Sequence, residues 1–114
     1  MKSLKCACLG SKLHIIDIEF TLLRALPGFE IVGLASATIK ESVARVKSAL
    51  AALRDFTLPA MKIVINLSPS DVKKDGSHFD LAIALLVLLQ KERFDGDYFV
   101  FGELGLDGRL RSSA

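Results

Sequence analysis

The 114-residue chain has a formal net charge of +2, and 51% of its residues are hydrophobic. This balance predicts one folded domain, residues 1–114, and excludes a protein whose basic residues dominate its surface for nucleic-acid binding. The longest apolar run, residues 81–89, is far shorter than the ~20 residues of a membrane-spanning helix. No apolar signal core follows the charged start, so we expect a cytoplasmic protein with no membrane partner.

The two cysteines, Cys6 and Cys8, would project from the same face of a strand. A disulfide between residues so close in sequence would be strained. His14 and His78 do not complete a metal site with them. We therefore predict buried apolar cysteine side chains and no metal site.

The first third of the chain reads as strands. Polar and apolar residues alternate over residues 14–22, which is typical of a half-buried strand. Gly10-Ser11 separates it from the run 4–9, and this arrangement predicts an antiparallel hairpin. Leu26-Pro27-Gly28 then leads into a third strand at residues 29–32.

Residues 36–55 change to a helical period. The apolar stripe at steps of four and three is Ile39, Val43, Val46, Leu50 and Leu53. An amphipathic helix fits this stripe, with Thr38 and Glu41 in the capping-box spacing and Ser36 as a competing cap. The β-branched run 62–67 then predicts a strand that is covered on both faces.

A second helix is predicted over residues 79–90. It is apolar nearly all round and should be deeply packed, with Ser77 or Asp80 accepting hydrogen bonds at its start. Residues 98–101 read as a strand, and Asp107-Gly108 is a turn joining 103–104 to 109–110. The resulting order is β-β-β-α-β-α-β-β. Residues 111–114 complete no element, so we expect a fragment of a longer protein.

Four stretches carry a family resemblance when they are taken together. They are LPGFEIVGL (26–34), IKESVARVKSAL (39–50), INLSPSDVKKDGSHFDLAIAL (65–85) and FGELGLDGRLR (101–111). In this order and spacing they resemble the amino-terminal domain of the magnesium-chelatase-like AAA+ ATPase family of ComM and YifB. The resemblance covers nearly the whole chain. It implies an α+β domain with the Lon-protease-like fold, which is shared with the second domain of the small-subunit ribosomal protein five.

The same resemblance implies what surrounds this domain. An AAA+ module that binds ATP and magnesium would follow it in the longer protein, which would form a homo-hexamer that drives DNA branch migration during competence. The chain itself contains no Gly-x-x-x-x-Gly-Lys-Ser/Thr sequence. We therefore expect no cofactor in this chain.

A Lon-like serine peptidase is the enzymatic alternative. The chain reads Lys74-Asp75-Gly76-Ser77-His78, and the resemblance to Lon places His78 at the nucleophile position and Ser77 where Lon has proline. Adjacent residues at a helix start point in different directions, whereas a nucleophile needs its base within about 3 Å. We therefore expect a degenerate protease site, no catalytic residue and no enzyme activity in this chain.

A nucleic-acid-binding module is the third hypothesis. Basic residues precede the second helix and line the charged side of the first, namely Lys73, Lys74, Lys40, Arg45 and Lys47. A helix start favours anions such as DNA phosphate, but Asp71, Asp75 and Asp80 offset the local charge. The leading hypothesis is thus a non-catalytic domain that acts in assembly or substrate guidance.

Overall fold

The computed structural model describes residues 2–9, 12–92 and 98–111. These residues form a mixed α+β domain in which a four-stranded sheet packs against helices. The elements in chain order are β1 (Lys2–Leu9), β2 (Leu13–Leu23), β3 (Gly28–Val32), α1 (Ala37–Lys40), α2 (Ser42–Ala51), β4 (Lys62–Ser68), α3 (Asp80–Leu88), β5 (Glu103–Leu104) and β6 (Leu110–Arg111).

The main sheet has the strand order β1-β2-β4-β3. β1 and β2 form the predicted antiparallel hairpin, with Cys6 opposite Ile16, although its turn at Gly10-Ser11 lies outside the described residues. β4 pairs antiparallel to β2 and parallel to β3. The predicted third strand is confirmed.

One face of the sheet carries the core. The buried residues of β4 are Ile63, Ile65 and Leu67, and they join helical side chains in one apolar cluster. Cys6 belongs to the same cluster. The prediction that β4 is covered on both faces was wrong, because its alternate residues are only half-buried.

The other face of the sheet carries polar side chains together with exposed apolar ones such as Ile15 and Val32. The Asn66 amide on this face donates to Glu19 at 2.8 Å. Ion pairs join Lys5 to Asp17 at 2.6 Å and Lys62 to Glu30 at 2.8 Å.

The helix predicted for residues 36–55 is divided at Glu41. Ser36 rather than Thr38 caps it, because the Ser36 hydroxyl accepts the Ile39 N–H at 3.4 Å. Leu53 was expected in the core stripe, but it lies beyond the end of α2 and is 42% exposed.

α3 lies deep in the domain, as predicted, with five buried apolar residues: Ala82, Ile83, Ala84, Leu86 and Val87. Its start has no side-chain cap, so the predicted capping roles of Ser77 and Asp80 were wrong. Backbone carbonyls accept the first N–H groups of α3 instead: Asp80 N–H donates to Ser77 C=O, and Leu81 N–H donates to Gly102 C=O.

The segment predicted as a strand at residues 98–101 bonds to the outer edge of β1 over a short stretch. Lys5 N–H donates to Tyr98 C=O, and Val100 N–H donates to Lys5 C=O, both at 2.9 Å. The predicted hairpin around Asp107-Gly108 is confirmed as β5 and β6, although the second strand begins one residue later than predicted.

Candidate functional site

The loop between β4 and α3 contains serine, lysine, aspartate and histidine side chains, and Lys74 is a fully buried charged residue of this loop. The exposed fraction of Lys74 is 0%. Its ammonium donates to the backbone carbonyl of Gly33 at 2.8 Å and to that of Pro69. A buried lysine amine needs hydrogen-bond acceptors, and these two carbonyls act as acceptors for it. Lys74 therefore fastens two loops together.

The backbone of the loop strengthens this attachment. Lys74 N–H donates to Leu34 C=O, and Ser36 N–H donates to Lys74 C=O, each at 3.0 Å. Gly33 has φ +104°, and a Cβ placed there would lie 2.1 Å from the Leu67 carbonyl oxygen. Only glycine fits this close approach, so the turn that receives the Lys74 ammonium depends on the residue type at position 33.

Ser77 and His78, the pair expected at the degenerate protease position, have different partners. The Ser77 hydroxyl bonds to the carboxylate of Glu103 on β5. His78 Nε2 lies 2.7 Å from the carbonyl oxygen of Ala7 on β1. The imidazole packs against the Phe79 ring, with a centroid distance of 4.5 Å. Each side chain thus ties the loop to a separate strand.

Asp80 opens α3 and is completely buried. Its carboxylate accepts the Ser42 hydroxyl at 2.5 Å, the Arg45 Nε at 2.6 Å and the Leu104 N–H at 3.1 Å. The guanidinium of Arg45 also reaches the second carboxylate oxygen at 3.1 Å. Hydrogen bonding to Asp80 raises the pKa of Arg45 above its ordinary value. One buried acid thus joins α2, α3 and β5.

Sequence reasoning missed this network, since Asp80 was interpreted as a cap and Arg45 as an exposed base. The sequence did contain a signal for this network. An aspartate that opens an otherwise apolar helix needs buried donors, and Ser42 and Arg45 lie on one side of α2 at a spacing of three.

Two of the five basic residues proposed to contact an anion do not offer their charge to solvent. Lys74 is buried against carbonyls, and Arg45 bonds to Asp80 with its side chain only 19% exposed. The structure corrects the hypothesis for these two. The other three, Lys73, Lys40 and Lys47, have exposed side chains.

Asp75 lies on the solvent side of the same loop. The Ser36 hydroxyl donates to its carboxylate at 2.7 Å, and the Gly76 N–H donates at 2.8 Å. These two hydrogen bonds hold the pKa of Asp75 below its ordinary value, and the charge of Lys73 adds to the effect. The carboxylate stays ionised and opposes the approach of an anion to the loop.

Residues 2–9, 12–92 and 98–111 also bear on membrane and metal contacts. No helix there is long and apolar enough to cross a membrane. No group of three or more histidine, cysteine or acidic residues there could hold a metal ion.

Comparison with known proteins connects this arrangement to a family. A family model described as subunit ChlI of Mg-chelatase matches residues 18–114. The chain is 40% identical to the competence protein ComM of Haemophilus influenzae and 39% identical to the uncharacterized protein YifB of Escherichia coli, in each case over 92% of the chain and 21% of the relative. It is 34% identical to the uncharacterized protein Rv2897c of Mycobacterium tuberculosis over 86% of the chain and 20% of that protein.

The chain spans about a fifth of the length of these relatives. The family match itself covers most of the chain, from within β2 to the last residue. The chain therefore belongs to the family of the Mg-chelatase subunit ChlI, as an amino-terminal domain of the ComM and YifB type.

Proposed function

We propose that this chain is a non-catalytic domain of a ComM-like AAA+ ATPase, in which it acts in assembly or substrate guidance. The similarity to ComM over 92% of the chain carries the proposal. The internal use of the polar loop residues supports its non-catalytic part. The Ser77 hydroxyl bonds to the Glu103 carboxylate, whereas a Lon-type serine nucleophile is paired with a lysine.

The fold part of the proposal is a Lon-protease-like domain. A mixed four-stranded sheet with helices packed on its apolar face supports it. Because a fold does not carry a site with it, this relation alone gives no reason to expect peptide cleavage.

The longer protein is proposed to be a cytoplasmic, hexameric, ATP-driven motor that acts in DNA branch migration. Magnesium does not fit the buried carboxylate of the described residues. Asp80 is the buried carboxylate best placed to bind a metal, but O–H and N–H donors occupy both of its oxygens. The proposal therefore places the nucleotide in an AAA+ module outside residues 1–114.

The proposal is tested on the longer protein with and without residues 1–114. Removal of the domain is expected to change the hexamer mass measured by light scattering, the DNA-stimulated ATPase rate, or both. An unchanged hexamer together with an unchanged ATPase rate would contradict a role in assembly or guidance.

DNA contact is the second candidate, and the exposure of Lys40 and Lys47 favours it. These residues lie seven apart across α1 and α2, which is the spacing of one helix face. Lys73 lies close to Asp75, which bonds to the cap of α1. Glu41, which is 69% exposed between the two helices, weakens this surface.

Fluorescence anisotropy on branched and linear DNA across a salt series tests the second candidate. Replacing Lys40, Lys47 and Lys73 with alanine should weaken binding and reduce its salt dependence. The matched control is Lys12→Ala, since Lys12 is an exposed lysine beside the β1–β2 hairpin. Equal effects of the two replacements would rule out this surface.

A further inference from the structure

β3 is an edge strand of the main sheet. It pairs with β4 on one side, and no backbone bond joins its other side to any residue in the described ranges 2–9, 12–92 and 98–111. The opposite edge of the sheet is covered over a short stretch, because Lys5 of β1 bonds to Tyr98 and Val100 through the backbone. β3 therefore presents a row of N–H and C=O groups whose spacing an extended polypeptide matches.

The side chains along this edge are largely apolar and exposed. Val32 lies on the outer face of the sheet and is 36% exposed, and Leu26 and Leu34, four residues to either side of Glu30, are 88% and 56% exposed. Edge strands of soluble proteins are commonly protected by charges or by a proline within the strand. β3 carries Glu30 as its one charge, and Pro27 lies just before it. The edge is thus poorly protected against the addition of another strand.

Leu34, which follows the end of β3, is held in a strained conformation. Its φ is +52°, in the left-handed region that glycine adopts freely and a residue with a Cβ does not. Lys74 keeps the turn in place, because its N–H donates to Leu34 C=O at 3.0 Å and its ammonium donates to Gly33 C=O at 2.8 Å. Strain of this kind is concentrated at sites that contact ligands. A leucine side chain is therefore fixed in solvent at the end of the open edge.

Glu30 indicates what kind of strand fits this edge. It lies at the middle of β3, its side chain is 49% exposed, and one of its oxygens contacts Lys62 of β4 at 2.8 Å. A second copy that paired through β3 about this residue would set two glutamates opposite each other, which is destabilising. A lysine or arginine opposite Glu30 would complement its charge. The edge therefore favours a basic strand of another protein over self-pairing.

We propose that the open edge of β3 binds an extended segment of a partner protein by strand addition, with Leu34 as the apolar anchor. The segment carries a lysine or arginine opposite Glu30 and apolar residues further along the same face, where they contact Val32 and Leu34. Backbone bonds to β3 supply affinity, and these side chains supply specificity. The inference goes beyond the proposed roles in assembly and guidance, and it requires only the 114-residue chain.

Nuclear magnetic resonance of the isotope-labelled chain tests strand addition, with the peptide LTVTKTVTL as the probe. Its sequence is the same in both directions, so it presents valine and leucine on either side of a central lysine in a parallel or an antiparallel pairing. The amide signals of residues 28–34 should shift when it is added. The same peptide with glutamate at its centre should bind roughly fivefold more weakly, because like charges would then face each other.

Leu34→Gly removes the anchor without disturbing the turn, since glycine adopts a positive φ freely. It should weaken peptide binding about tenfold, while amide signals away from the turn keep their positions. Leu106→Gly is the matched control, because Leu106 is also an exposed leucine in a turn but lies in the β5–β6 hairpin. Its affinity for the peptide should equal that of the unchanged chain.

The inference would be overturned if the signals of residues 28–34 stayed unmoved at millimolar peptide. Equal affinities of the two peptides, or of Leu34→Gly and the unchanged chain, would also overturn it. If these signals shift with protein concentration in the absence of peptide, a second copy occupies the edge and the inference fails. Methylation of alternate peptide nitrogens isolates the backbone bonds: one of the two alternate sets should abolish binding, and binding retained by both would contradict strand addition.

Discussion

Replacing Asp80 with asparagine tests whether the buried carboxylate stabilises the domain. Asp80 is 0% exposed and accepts four hydrogen bonds, from Ser42, Leu104 N–H and two nitrogens of Arg45. Asparagine has nearly the same shape as aspartate but carries no charge. Its side-chain NH₂ group cannot accept a hydrogen bond, yet it would face one of the donors that now bond to the carboxylate. Arg45 then loses its buried counter-ion and keeps the exposed Glu41 carboxylate at 3.6 Å.

The expected loss of stability follows from the exposure of the two partners. Breaking a buried ion pair by removing one partner costs about 3–5 kcal/mol. The side chain of Arg45 is 19% exposed, so water can solvate part of the orphaned guanidinium. We therefore expect the lower end, about 3 kcal/mol, which corresponds to a urea midpoint lower by roughly 1–3 M.

Urea unfolding of the 114-residue chain, followed by circular dichroism, measures the effect of Asp80→Asn. Asp107→Asn is the matched control, because Asp107 is exposed, its ion pair with Arg109 is 3.7 Å long, and asparagine keeps the oxygen that accepts the Arg109 N–H at 3.0 Å; its urea midpoint should change little. Equal midpoints for the two variants, with unchanged slopes, would refute the reasoning that this network holds α2, α3 and β5 together.

Three further predictions concern the loop before α3 and its attachments. Lys74→Met removes the donor to the Gly33 and Pro69 carbonyls from a fully buried position and should lower the Tm by roughly 8–15 °C in a thermal melt, whereas the exposed Lys73→Met should change it little. Gly33→Ala should cost more than about 3 kcal/mol in urea unfolding, because its Cβ would meet the Leu67 carbonyl, and Gly28→Ala, with its nearest atom at 3.9 Å, should cost under about 1 kcal/mol. Ser36→Ala should raise the pKa of Asp75 in an NMR titration and Ser70→Ala should not, because the Ser36 hydroxyl is the main cause of the lowered value. Since the folded-state pKa of Asp75 is lowered, its stabilising effect is present above the unfolded-state pKa and is lost as the pH falls through the folded-state pKa. A Lys74 variant as stable as the Lys73 variant, equal costs at the two glycines, or an Asp75 pKa that is unmoved would each contradict its prediction.

The strands were predictable because their pattern is local. Alternating side chains along β2 place Ile16, Ile18 and Phe20 on one face, and that face is the core. The helix boundary was less certain, since both Ser36 and Thr38 satisfy a capping pattern and only the turn before the helix selects between them. That turn is set by Lys74, which is 38 residues away from Ser36 in sequence and bonds to it through the backbone.

The roles of the charged residues could not be predicted from local pattern. A Lys-Lys pair in a loop is usually solvated, yet Lys74 is buried because carbonyls at Gly33 and Pro69 meet its ammonium. The neighbouring sequence does not predict this contact, because it depends on the packing of two distant loops. Arg45 likewise reads as an exposed helix residue until Asp80 is placed against it.

The internal use of these polar residues bears on where the domain can make contacts. The side chains of Lys74, Ser77, His78 and Asp80 each bond to at least one segment that is 26 or more residues away. Using them for catalysis or anion binding would break bonds that close these long loops. Exposed lysines, the edge of β3 and the α2–α3 groove, which is lined by Leu50, Leu81 and Leu85, remain as contact surfaces. Covering the groove removes apolar side chains from water at about 25 cal/mol per Å², whereas an exposed lysine gains little from a single ion pair. The groove therefore offers a partner more binding energy than the exposed lysines do.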